Sequence, residues 1–392
     1  MSDALQQAHP PLHEFVFKVA SRCNLACDYC YVYTGPDQSW RQRPRVMSPA
    51  TIDAAAARIG QHARAHRLDS VLIALHGGEP LLAGPEVTER VITAVRAAMP
   101  AGTRADLIAQ TNGVLLDRTF LELFARHGVR IGVSLDGSRQ ANDRHRQRAH
   151  GGSSYPDVVR ALRLLDSDRY RPLFAGVLCT IDLENDPVET YRALLELNPP
   201  VLDFLLPHAN WSHPPPGRSG PSDTPYADWL IPVFDAWYGD PAAATSIRFF
   251  DEIIQIMLGG VAGTEAVGGG VLGFAVVETD GTIEGADSLK SAYHGAAFTG
   301  LSVHAHSFDE ALGHPVIAGS RRGRDALGAT CRSCPVVGVC GGGQYAHRYR
   351  AGAGFGNPSV YCADLRRMIE HVAGRVHHDL SQAAARRPCS VR

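Results

Sequence analysis

Cys23, Cys27 and Cys30 stand close together in CNLACDYC, near the start of a 392-residue chain. Three thiolates at this spacing can hold three irons of a [4Fe–4S] cube and leave the fourth iron without a protein ligand. An open coordination position separates a reactive metal site from a structural one, because a substrate can occupy it. A zinc site short of one ligand, or three unrelated buried thiols, would use the same residues. Zinc usually closes with a fourth Cys or His, however, and none lies at short spacing here.

A second group follows far downstream, Cys331-x2-Cys334-x5-Cys340 with Cys362 beyond it. Four thiolates can close a zinc ribbon or ligate a complete iron–sulfur cluster. Of the other two cysteines, Cys179 reads as a small core residue and Cys389 lies in the tail. The N-terminal MSDALQQAHPPLHEF has no apolar core of a signal peptide, so thiolate ligands are expected rather than disulfides, and a cytoplasmic location. A formal net charge of −2 gives no field toward nucleic acid or an acidic membrane, and no stretch reaches the ~18 apolar residues of a membrane span. Lys18 and Lys290 are the only lysines; the remaining basic residues are scattered arginines.

The elements that must position these groups alternate. Short β-rich runs at His13–Val19, Val71–Leu75, Ala105–Gln110, Arg130–Ser134, Phe174–Thr180 and Leu202–Pro207 are separated by amphipathic helical patterns. The first helix opens at Ser48-Pro49, a hydroxyl N-cap followed by proline at the first helical position. Six β/α units imply a parallel sheet, closed or partial, with chemistry beyond the C-terminal strand ends, where CNLACDYC falls. The expected division is a partial (β/α)6 barrel over 12–235, linker helices and a glycine-rich connection over 236–269, a smaller α+β domain over 270–375, and a helix end and tail over 376–392. HANWSHPPPGRSGPSDTP is expected as a loop crossing the barrel mouth, and FAVVETDGTIEGAD as a hairpin turning at Asp-Gly.

C-x3-C-x2-C directly after a first strand resembles the signature of the radical S-adenosylmethionine (radical SAM) enzymes. The resemblance implies that the open iron chelates the methionine part of SAM, and that one electron splits SAM to a 5′-deoxyadenosyl radical. Further segments carry it. Tyr29 stands where such proteins set an aromatic ring against the adenine. HGGEP after the second strand resembles the GGEP motif, with Gly77 and Gly78 allowing close backbone approach and Glu79 accepting from the SAM ammonium. QTNG after the third strand includes Asn112. Ser134 and Asp136 lie in an S-L-D-G element directed at the SAM carboxylate and ribose. Arg146 is the implied bidentate partner of the SAM carboxylate, its alternative being a surface pair with Asp143.

The second cysteine group resembles a SPASM domain, a C-terminal extension that binds auxiliary clusters. The full pattern has further cysteines where this chain has Ala286 and Gln344, ligands of the first auxiliary cluster. Cys331, Cys334, Cys340 and Cys362 remain as the complete set for the second. The resemblance therefore implies two [4Fe–4S] clusters and SAM as cofactors. Asp287 follows the lost cysteine position, where related sulfatase-maturing enzymes keep a catalytic base; its alternative is a turn or cap residue, with Lys290 as a partner three residues on.

Motif placement along the whole chain resembles FxsB-type maturases, which join an aromatic ring to the β-carbon of a nearby residue in a peptide made by ribosomes. The partners implied are a precursor peptide and a flavodoxin- or ferredoxin-type electron donor. About a dozen residues precede the first strand, so leader binding is expected at the barrel mouth, the 208–225 loop, the second domain or a separate protein. Oxidation of a Ser or Cys side chain is the competing enzyme reading, and a non-catalytic iron–sulfur or zinc scaffold the reading from another class.

Overall fold

The computed structural model describes residues 10–261, 263–270 and 273–385; Cys389 and the first residues read for an export signal lie outside them. Strands β1 (Glu14–Ala20), β2 (Ser70–Gly77), β3 (Arg104–Thr111), β4 (Arg130–Ser134), β5 (Phe174–Thr180) and β6 (Val201–Leu205) lie side by side in chain order, all parallel. Parallel neighbours need long crossovers. Helices α1 (Pro49–Ala65), α2 (Gly84–Ala98), α3 (Arg118–His127), α4 (Arg139–His145), α5 (Tyr155–Leu165) and α6 (Pro187–Leu195) fill them. The caps are those the sequence suggests: Ser48 Oγ accepts from Thr51 N at 3.1 Å ahead of Pro49. Asp117 and Asp186 likewise accept from Phe120 N and Glu189 N, and Gly128 closes α3 in the left-handed region at φ +56°. The expected partial parallel barrel is the fold observed.

A short β7 (Ser246–Ile247), absent from the sequence reading, extends the sheet beyond β6 between helices α7 (Pro225–Tyr238) and α8 (Arg248–Met257). At the other edge, β8 (Phe274–Val277) pairs in parallel with β1, Glu14 opposite Phe274. Asp280 and Gly281 turn β8 into β9 (Thr282–Glu284), the expected hairpin, and β10 (Phe298–Ser302) pairs with β9. One ten-stranded sheet thus runs through both halves of the chain. The division expected at 235 and 270 separates sequence segments that share this sheet, and one apolar core includes Phe15 and Phe17 of β1 together with Phe308, Tyr361 and Met368. Helices α9 (Phe308–Leu312) and α10 (Cys362–Ala385) complete the second half. The proline-rich loop after β6 is strapped to that half, with Trp211 Nε1 donating to Pro358 O at 2.7 Å and Asn210 Nδ2 to Ser291 O at 2.8 Å.

The seam between the halves is ionic. Arg43 donates to both carboxylate oxygens of Asp280 and to Glu284 Oε1, each at 2.5 Å, and to Thr282 Oγ1 at 2.8 Å. Its side chain is 7% exposed and that of Glu284 is 2% exposed, so water cannot replace the guanidinium. Substituting Arg43→Met keeps the bulk but leaves the buried Glu284 with Lys290 alone, and breaking a buried pair in this way should cost about 3 kcal/mol. Urea unfolding followed by circular dichroism should show a correspondingly lower midpoint, whereas Arg90→Met, at an exposed pair with Asp53, should move it by well under about 1 kcal/mol.

Candidate active site

The loop leaving β1 carries the first three cysteines across the C-terminal ends of the strands. Ala26 N donates to Gln147 O at 2.8 Å, and an isolated bridge joins Leu25 to Arg148, so the loop is held from both sides. Cys23, Cys27 and Cys30 line one cavity of about 440 Å³, together with Tyr29, Gly77, Gly78, Asn112, Ser134 and Arg146. Glu79 and Asp136 are not on its wall. Glu79 is fully buried, and its carboxylate accepts from Leu81 N at 3.0 Å, Thr111 Oγ1 at 2.7 Å and Asn112 N at 2.8 Å. As placed it locks the ends of β2 and β3 together rather than offering itself to a ligand.

Asp136 likewise faces inward. Its Oδ2 accepts from the Tyr29 hydroxyl at 2.5 Å and its Oδ1 from Thr180 N at 3.0 Å. Arg146 Nη1 donates to the same hydroxyl at 2.9 Å, so Arg146, Tyr29 and Asp136 form one chain of contacts. Burial raises the Tyr29 hydroxyl well above the ordinary phenol range, keeping it a donor. The alternative pair of Arg146 with Asp143 does not form; Asp143 takes Ser153 Oγ at 2.6 Å and lies 3.5 Å from Arg139. The two glycines also differ from expectation. A Cβ on Gly77 would lie 2.1 Å from Ala20 O, and one on Gly78 would meet the Tyr33 hydroxyl and, at 2.6 Å, Arg22 O. Close packing of the chain on itself already demands glycine there, and both glycines also line the cavity.

Asn112 holds the cysteine loop directly: Nδ2 lies 2.7 Å from Asn24 Oδ1 and 3.6 Å from Cys23 Sγ, and Leu25 N points at the same sulfur at 3.4 Å. Burial pushes the Cys23 thiol up to about 12 and the Cys27 thiol to about 11, so ionisation needs a cation on the sulfurs. Two groups on the wall, Arg146 Nε and Trp40 Nε1, are buried donors without hydrogen-bond partners. A polar ligand with acceptors would complete them, and the three thiols supply the donor set of a site-open cluster; the residues fit. Arg22, Tyr31, Tyr33, Trp40, His76 and Gln110 also line the cavity. His76 and Gln110 lay within motifs already singled out; the aromatic residues carried no periodic or spacing signal.

Cys331, Cys334, Cys340 and Cys362 line a second cavity, of about 290 Å³. All eight described cysteines are free thiols. The glycines after Cys340 adopt φ of +61°, +89° and +64°, which turns the chain sharply enough for Arg348 to donate to all three of their carbonyl oxygens, those of Gly341, Gly342 and Gly343. Among the described residues, the one group of ligating side chains with donor atoms all within 4.8 Å of one another is His62, His66 and Asp309. Neither cysteine set is that tight, whereas thiolates on a single zinc at about 2.3 Å would stand about 3.8 Å apart.

Asp287 is the clearest departure. It is the first residue of a 3-10 turn, Asp287–Ser291, and its carboxylate is gripped by Lys18 on one oxygen and by Lys290 at 3.1 Å on the other. Lys290 also pairs with Glu278, and with Glu284 at 3.0 Å. Burial works against ionisation, but the two ammonium groups prevail and hold Asp287 well below the usual carboxylate range. A carboxylate so held is a poor proton acceptor, and it does not line the cavity. Lys18 Nζ, 3.4 Å from both His76 Nδ1 and Gly77 O, sets this ion cluster one layer behind the cavity wall.

Residues 17–194 match the family model described as the Radical SAM superfamily. That match runs from β1 to α6 and takes in Cys23, Cys27 and Cys30. The chain is 27% identical over 285 residues to the cysteine-type anaerobic sulfatase-maturating enzyme of Clostridium perfringens, covering 70% of this chain and 74% of that one. It is 25% identical over 265 residues to the serine-type enzyme of Bacteroides thetaiotaomicron, 64% of this chain and 63% of the relative. The solved structure of native anSMEcpe with bound AdoMet and Cp18Cys peptide superposes with a TM-score of 0.80 at 22% identity, over 95% of this chain and all of that one. Streptococcus suis SuiB bound to precursor peptide SuiA gives 0.58 at 13% identity, over 90% and 76%. At such identities the structural likeness concerns the fold, and it extends past residues 17–194 into the second half.

A smaller cavity of about 100 Å³ lies beyond Tyr31, whose ring is 4.2 Å from that of His208. His208, His347 and Gln344 line it, the last at a position that the full SPASM pattern gives to cysteine. His347 is 2% exposed, and burial, with His208 and Arg348 nearby, holds its proton affinity well below the ordinary 6.5. The unfolded chain therefore takes up a proton at pH 6.5 that the folded chain refuses, and stability falls as pH drops below 6.5. Between pH 6.5 and 5 His347→Leu should lose about 1–2 kcal/mol less than the wild type in urea titrations; parallel losses would place the proton uptake elsewhere.

Proposed function

We propose that this chain is a radical SAM maturase of a ribosomally made peptide, and that it joins an aromatic ring to the β-carbon of a nearby residue. The observation that carries the reading is the pairing of an open three-thiol cavity with a four-thiol cavity, with Ala286 and Gln344 standing where a further cluster would take cysteines. Cys23, Cys27 and Cys30 would hold a [4Fe–4S] cluster that, with SAM, supplies a 5′-deoxyadenosyl radical to remove a hydrogen atom from the substrate. Cys331, Cys334, Cys340 and Cys362 would hold the auxiliary [4Fe–4S] cluster. Arg146 Nε and Trp40 Nε1 are the donors left for SAM, while Tyr29, fixed by Asp136 and Arg146, keeps one wall rigid. The relatives include sulfatase-maturating enzymes, and two of the structural neighbours were solved with peptides, which supports a peptide as substrate.

Joining a carbon radical to a ring leaves one proton and one electron to remove. The auxiliary cluster that Cys331, Cys334, Cys340 and Cys362 would hold would supply an acceptor for that electron, and a flavodoxin- or ferredoxin-type protein would be its redox partner. Asp287 is too firmly ion-paired to be the first acceptor of the proton. The relatives' activity favours the second reading, oxidation of one Ser or Cys side chain, which also removes two hydrogens.

Tandem mass spectrometry of a co-expressed precursor peptide decides between them. A mass lower by two hydrogens with fragments missing between an aromatic residue and its neighbour is expected; the same loss confined to a lone Ser, or a Cys thiol exchanged for an aldehyde oxygen, would replace the cross-linking reading with the second. Reconstituted enzyme that released no 5′-deoxyadenosine from SAM under dithionite would end the catalytic reading altogether. Iron should reach about eight per chain, four for each cluster. It should halve when Cys23, Cys27 and Cys30 are changed to alanine, and again halve from the wild-type value when the other four are changed instead.

A further inference from the structure

Away from both cysteine cavities, α1 of the barrel meets α9 of the second half through three side chains with ligating atoms. His62 lies on the last turn of α1 and His66, four residues on, is its C-cap, so the two rings come together at the end of the helix. Asp309 comes from the first turn of α9. Its Oδ1 lies 2.8 Å from His62 Nδ1 and 2.7 Å from His66 Nε2, and the two imidazole centroids are 4.4 Å apart.

Counting protons makes the trio more than a set of hydrogen bonds. His62 Nε2 lies 3.1 Å from the Leu12 carbonyl oxygen, which can only accept, so Nε2 carries the ring proton. His62 is 2% exposed, and burial lowers its affinity for a second proton. In the neutral ring, Nδ1 then directs a lone pair at a carboxylate oxygen 2.8 Å away. A cation between them turns acceptor against acceptor into a pair of bonds. The Leu12 contact is also the one a metal-bound imidazole makes, since the second ring N–H given to a carbonyl fixes tautomer and orientation. Asp309 and His66, with side chains 45% and 29% exposed, leave the site open to solvent.

We propose that His62 Nδ1, His66 Nε2 and Asp309 Oδ1 bind a divalent cation of the zinc class, with water in the fourth position, and that this ion clips the barrel to the second half of the chain. Two imidazoles and a carboxylate suit zinc. The donors stand about 0.6 Å closer together than around a tetrahedral ion with bonds of about 2.0–2.1 Å, and a turn of the exposed Asp309 carboxylate supplies that distance. The trio shares no residue with either cysteine cavity, so its role is tethering, independent of the peptide chemistry.

The test uses the full chain with its iron–sulfur sites reconstituted, so that the thiols are occupied. After incubation with Zn²⁺ alone and desalting, elemental analysis should find one zinc per chain with iron unchanged, and the thermal midpoint should rise. Both effects should vanish in His66→Ala and in Asp309→Asn, while iron content stays at the wild-type level. Zinc that persists in both variants sits on cysteines and overturns the proposal. Failure of the wild type to retain zinc also overturns it, leaving the trio as an imidazolium–carboxylate contact. Asp309→Asn is near-isosteric at an exposed position, so it carries the test should His66→Ala fold poorly.

Discussion

Three carboxylates, Glu278, Glu284 and Asp287, are buried together, and the structure depends on Lys18, Lys290 and Arg43 arriving beside them. A buried carboxylate without a counter-ion would protonate or pull the site open to water. The cations come from β1, from the segment that follows it and from the turn after β9, so neutralising the acids also brings these elements together. Both lysines of a chain otherwise served by arginine are spent here. A compact ammonium on a flexible stem fits between two carboxylates where a planar guanidinium would need a bidentate slot. The same cluster backs His76 and Gly77, and thereby fixes one wall of the main cavity.

The barrel was legible because each of its units carries its own local signals. Ser48-Pro49, Asp117 with Gly128, and Asp186-Pro187 mark helix ends by side-chain chemistry that acts within one turn, and the strand runs between them are mostly apolar. Both cysteine sets were legible for the same reason, since ligand spacing is local within each loop. What the sequence hid is long-range. Nothing in FAVV tells that it will pair with EFVF at the far end of the chain, so the second half read as a separate domain when it extends one sheet.

Within the site, residue type was a better guide than assigned role. Tyr29, Asn112, Ser134 and Arg146 stand on the cavity wall, whereas Glu79 and Asp136 were assigned to a ligand and are spent on the protein's own donors. Motif residues that turn inward look the same in sequence as those that face a ligand, because both need the same polar groups at the same strand ends. Asp287 misled for a different reason: its neighbour Lys290 was visible in sequence, but Lys18, on the opposite side of the carboxylate and far away along the chain, was not. One lysine leaves a carboxylate able to act as a base; two do not.

The pairing of β1 with β8 has a consequence for synthesis. β1 leaves the ribosome among the first elements, yet one of its edges has no partner until residues 274–277 have been made. Until then the nascent barrel presents an unpaired strand flanked by its cysteine loop, the kind of edge that recruits other chains. Closing so long a loop is slow as well as late. The nascent chain therefore carries one open barrel edge from the emergence of β1 until the hairpin is made, and a transcript truncated before the hairpin would leave that edge unpaired.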